Sequence, residues 1–206
     1  MGSVIELRVL ELLCARFCHE MVSPVGAVSN GVELLDEEDP EFVRDAIALI
    51  GQSARTASRR LQFYRFAYGT STTASNAAPR ELLLGLLEGG KVAAEWEPSV
   101  SSLSSEWQRL VCNLAVIAAE TLPRGGRIVL RRIDAREPGV EIEASGESVL
   151  VNRDVAAALA GTANPAELNS RTIHGYVTAK FAEQLGALAS LGESGPSHAL
   201  FVASER

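Results

Sequence analysis

Apolar residues recur at alternating spacings of three and four from Val4 to Leu35: Leu7, Leu10, Cys14, Phe17, Met21, Val25, Val28, Val32 and Leu35. That period predicts a long amphipathic helix with a coiled-coil-like seam. The acidic run Asp36-Glu-Glu-Asp39 interrupts it. Asp39, Pro40 and Glu41 then supply an N-cap, a proline at the first helical position and an acid in the first turn, so a second helix begins there. Its seam is Val43, Ile47, Ile50, Ala54, Ala57, Leu61, Tyr64 and Tyr68, and Gly69 ends it. Helices joined by so short a turn lie antiparallel, yet with one neighbour each they leave apolar surface uncovered. A second copy of the chain supplies the missing hairpin and gives a dimeric four-helix bundle. Packing against the rest of the chain is the alternative.

Thr70 to Ala78 is small and polar and reads as a linker. Beyond it the pattern changes. Helices are expected over Pro79–Glu88, Ser104–Leu122 and Thr172–Leu185, and strands over Lys91–Trp96, Arg127–Ile133, Val140–Ala144 and His198–Ala203. The fold class is α+β: a helical hairpin over residues 1–70, then helices layered on a mostly antiparallel sheet over residues 77–206.

Of 206 residues, 47% are hydrophobic and 22% charged, which excludes disorder. Lys and Arg number 19 against 26 Asp and Glu, a formal charge of −7, and that balance argues against nucleic acid as a partner. No apolar run is long enough for a membrane span, and the N-terminus carries acids where a secretory signal carries bases. Cys14, Cys18 and Cys112 lack metal-ligand spacing and read as reduced thiols. A full-length cytoplasmic protein is expected.

His19 projects roughly 160° from the seam of the first helix and so faces solvent. Ala15, Ser23 and Gly26 share its face, and residues this small leave the imidazole clear for the close approach of another macromolecule. A neutral ring nitrogen is a nucleophile, and an unperturbed imidazole is largely neutral near pH 7. Glu20 follows directly and is placed to hold one ring N–H, leaving the other nitrogen to attack phosphorus. Pro24 withholds the amide that would bond the Glu20 carbonyl and loosens the helix one turn beyond.

The string Cys18-His-Glu-Met-Val-Ser-Pro-Val25 resembles the H-box of histidine kinases, where a phospho-accepting histidine precedes an acid and, a turn later, a small polar residue and proline. In that family the helix belongs to a dimeric bundle followed by an ATP-binding α/β sandwich. The sandwich motifs are eroded here. In Leu110 to Gly126, which looks like the N-box and its turn, Ile117 stands where a Mg²⁺-binding Asn is expected, and isoleucine offers a hard cation no oxygen. In Val140 to Ser148, Ala144 replaces the adenine-binding Asp and Ser148 the second glycine of Asp-x-Gly-x-Gly. Thr172 to Lys180 keeps only Gly175 of a phosphate loop.

A histidine bundle joined to an eroded ATPase-like domain resembles the ChpT-type histidine phosphotransferases of bacterial phosphorelays. The resemblance implies that His19 accepts a phosphoryl group from the receiver domain of a hybrid kinase and passes it to receiver domains of response regulators. It implies no cofactor of the chain's own, since a receiver brings its aspartate and Mg²⁺. Counting outward from Glu37 places Arg55 level with His19. Arg55, Arg59 and Arg16 are candidates to meet the phosphoryl group or an acidic receiver pocket, while His174 and His198 read as structural. An ATP-dependent histidine kinase and a dimeric scaffold are the competing functions.

Overall fold

The computed structural model describes residues 6–69, 77–134 and 138–205. Helix α1 spans Leu7–Glu33 and continues as a 3-10 turn over Leu34–Asp36; α2 spans Pro40–Tyr68. The Asp39 side chain accepts from the Glu41 amide at 2.8 Å, so the expected cap is made. Gly69 does end α2, but with φ −71° it needs no left-handed freedom, and its amide simply donates to the Arg65 carbonyl. The helices approach closely at Gly31, where a Cβ would lie 2.6 Å from Ile50 Cγ1. Phe17 meets Tyr64 edge to face nearer the open end of the hairpin. Val4 and Ile5, and the linker expected from Thr70, fall wholly or largely outside the described residues.

The second part runs α3 (Pro79–Leu87), β1 (Val92–Trp96), the single turn α4 (Pro98–Ser101), α5 (Ser105–Glu120), β2 (Gly126–Asp134), β3 (Pro138–Ser145), α6 (Arg153–Leu159), α7 (Ile173–Gln184), β4 (Ala187–Ser194) and β5 (His198–Glu205). The sheet order is β1-β2-β3-β5-β4, with only β1 and β2 parallel. Helices α5 and α7 pack on it. The short helix α6 and strand β4 go beyond the sequence reading: one is an alanine-rich stretch without apolar period, the other is built largely of small residues and breaks register between Leu191 and Ser194.

Part of the hairpin's cover comes from the rest of the chain, the alternative to a second copy. Its open end is docked on the sandwich, where Phe63, Tyr64 and Ala67 join one core with Leu83, Leu110 and Leu114, and Val9 packs with Ala158, Leu168 and Ile173. Leu7, Leu10, Val25, Val32, Ile47 and Leu61 stay exposed along the remaining stripe, Ile47 by 59%.

Backbone accounting shows what fixes this docking. The last carbonyls of α2 have no partner inside the helix, and the Ala67 carbonyl accepts from Arg109 Nε at 2.9 Å and Asn113 Nδ2 at 3.3 Å, both on α5. Asn113 Nδ2 also donates to the Arg109 carbonyl, which leaves its Oδ1 to accept from His174 Nε2 at 3.1 Å. Three helices therefore meet at one buried amide. His174 is structural, as expected, whereas His198 lies at the exposed start of β5.

Burial, aided by the charge of Arg16, holds the His174 pKa well below its ordinary 6.5. The fold requires neutral imidazole. The corresponding stability is complete above the unfolded-state pKa near 6.5 and is lost as pH falls below it, by at most ~1.4 kcal/mol per pH unit for one proton. Thermal unfolding at about pH 7.5 and 5.5 should show a larger loss of Tm for the native chain than for His174→Gln; equal losses would contradict this assignment.

Candidate functional site

His19 lies just before the midpoint of α1, in the half nearer the open end of the hairpin, and is exposed, as are Ala15 and Ser23 on its face. Gly26 is half-buried, and a Cβ built there meets nothing within 4 Å. No packing contact accounts for that glycine, although glycine inside a helix costs about 1 kcal/mol relative to alanine. Gly26 therefore leaves this helix face open two turns beyond His19, toward the hairpin turn.

Two near neighbours of His19 on the helix, Glu20 and Arg16, are engaged by other elements. Glu20 lies about 100° around the helix from it, and its Oε2 is 3.4 Å from Arg60 Nη1. Adjacency in sequence predicts a pair between this carboxylate and the His19 ring; the structure directs it to α2 instead. Arg60 also donates to the Glu20 backbone carbonyl. Arg16 is nearly buried, pairs with Glu120 at the end of α5 and donates to the Ser170 carbonyl at 3.4 Å. Burial works against its charge, but Glu120, helped by Tyr68 and Tyr64, leaves the guanidinium pKa above its ordinary value.

The second-helix arginines also differ from expectation. Arg55 is expected level with His19, but it is Arg60 that reaches the adjacent Glu20, because the 3-10 turn prolongs α1 and moves the chain reversal to the Asp39 cap. Arg59 turns toward α3 and pairs with Glu88 at 2.7 Å. Arg55 remains exposed and folds back along its own helix toward Gly51. The structure thus gathers His19, Ala15, Ser23 and Gly26 on one face and engages Arg16 and Arg59 elsewhere. Arg60, absent from the residues singled out in the sequence, is joined to Glu20; the carbonyl freed by Pro24 is the signal that could have found it.

The positions that would serve a nucleotide are filled by packing. Ile117 and Ala144 are buried, 2% and 0% exposed. Gly175 lies against α6, where a Cβ would sit 2.9 Å from the Val155 carbonyl oxygen, so its retention is explained by helix packing. A cleft of about 290 Å³ beside Ile117 is lined by Arg16, Glu120, Leu150, Val155 and Phe201 among others.

Residues 77–195 match the histidine phosphotransferase C-terminal domain. The protein phosphotransferase ChpT of Brucella abortus (strain 2308) is 32% identical over 185 residues, covering 87% of this chain and 88% of that protein. The chain belongs to the ChpT-type histidine phosphotransferases. A solved bacterial phosphotransferase structure agrees, at 28% identity and TM-score 0.78 over 98% of both chains. Membership makes this chain a protein phosphotransferase of two-component signalling. Among the described residues no helix is long and apolar enough to cross a membrane.

Proposed function

We propose that His19 accepts a phosphoryl group from the receiver aspartate of a hybrid histidine kinase and passes it to receiver domains of response regulators in the cytoplasm, without ATP. The observation that carries this reading is the exposed imidazole on a helix face cleared by Ala15, Ser23 and Gly26. A neutral ring nitrogen attacks phosphorus, the P–N bond forms as the P–O bond to the aspartate breaks, and the carboxylate leaves. The second ring nitrogen keeps its proton. Such a transfer is governed by positioning and charge stabilisation, and the receiver supplies Mg²⁺. The onward step is the same displacement reversed. Arg55, exposed on α2 as Arg44 and Arg65 also are, is available to an acidic receiver surface; Arg16 and Arg59 act through Glu120 and Glu88, holding the hairpin to the sandwich.

The chain works as two units, the phosphotransfer hairpin of residues 1–70 and the ATPase-like sandwich of residues 77–206, and pairs with a second copy. Its unmatched stripe of Leu7, Leu10, Val25, Val32, Ile47 and Leu61, flanking a groove of about 610 Å³ between α1 and α2, supports a four-helix bundle. A second hairpin presents the same stripe and is self-complementary to it.

Acid-labile label from a phosphorylated hybrid-kinase receiver should appear on the native chain and be absent from His19→Ala; equal labelling of the variant would remove His19 from the reaction. Light scattering at micromolar concentration should give twice the 21.9 kDa chain mass, and a monomer mass would overturn the bundle.

A further inference from the structure

Every helix carbonyl seeks the amide four residues ahead, and Pro24 has none to offer the carbonyl of Glu20. The gap lies one residue beyond His19. Arg60 fills it from the neighbouring helix: Nη1 donates to the orphaned carbonyl and also lies 3.4 Å from the Glu20 carboxylate. Both partners are about two-thirds buried in this contact. One turn earlier on the same inward side, Arg16 pairs with Glu120. The turn that carries His19 is therefore fastened before and after the histidine, while the imidazole itself points outward.

We propose that Arg60 is a positioning residue for phosphotransfer, supplying through its guanidinium the hydrogen bond that Pro24 withholds and so fixing the direction in which His19 is presented. This rests on the phosphotransfer reading above. Arg60 touches neither the imidazole nor the transferred group in this account; it acts through the Glu20 backbone. A role in attracting an acidic receiver makes a different forecast, because charge would then matter and the backbone gap would not.

The test is a cycle of full-length variants: Arg60→Ala, Arg60→Lys, Pro24→Ala and Arg60→Ala with Pro24→Ala. Transfer from a phosphorylated receiver domain at saturating concentration should fall on the order of tenfold in Arg60→Ala, with the half-saturating receiver concentration little changed. Pro24→Ala returns an amide to the Glu20 carbonyl, so the double variant should recover most of the rate, and Arg60→Lys, which keeps a donor, should lose less than Arg60→Ala. An unchanged rate in Arg60→Ala, or a loss confined to half-saturation and not rescued by Pro24→Ala, would overturn the proposal. Amide exchange across residues 19–28 gives a readout independent of any receiver: faster in Arg60→Ala, restored in the double variant. Failure of the native chain to take label would refute the phosphotransfer reading, and the exchange comparison would still decide the role of Arg60, with unchanged exchange counting against it.

Discussion

The Asn113 side chain is the junction on which the architecture depends. It lies fully buried on α5, ties off the end of α2 through the Ala67 carbonyl and accepts from His174 on α7. A buried carbonyl or amide left unpaired costs about 1–3 kcal/mol, so the groups at this junction must be satisfied together. Around them close Phe63, Tyr64, Leu110 and Leu114. The consequence is mechanical: the open end of the hairpin, where His19 lies, is seated on the sandwich, and the turn end extends away from it.

That seating gives the sandwich a role that needs no nucleotide. Ile117 and Ala144 are core residues, and Gly175 permits α7 to lie against α6. The cleft beside them is bordered by Arg16 and Glu120, which join α1 to α5. Magnitudes favour backbone contacts over ion pairs in fixing His19. An ion pair left about one-third exposed, such as Arg60–Glu20, is worth roughly 1 kcal/mol or less, whereas the guanidinium bond to the orphaned Glu20 carbonyl offsets the larger desolvation cost of an unmade hydrogen bond.

Much of this is legible before any coordinates. The three-four spacing marks both long helices, Asp39-Pro40 marks where the second starts, and alternation marks β2, β3 and β5. The outward direction of His19 follows from helix geometry alone. Register across the hairpin does not, because it depends on how far the 3-10 turn carries α1 past Glu33, and a shift there exchanges Arg55 for Arg60 beside Glu20. Strand β4 and helix α6 escape because small residues carry little periodic signal and their places are set by packing on neighbours that come from elsewhere in the chain. Glu20 shows the same limit: adjacency in sequence suggested a pair with His19, while the helix turns the two side chains apart.

The central claim is that the sandwich has become a platform for the histidine hairpin and no longer phosphorylates it. Incubation of the purified chain with Mg²⁺ and [γ-³²P]ATP, with no receiver present, tests this most directly. The account predicts no acid-labile label; label at His19 from ATP alone would contradict it and make the chain a histidine kinase.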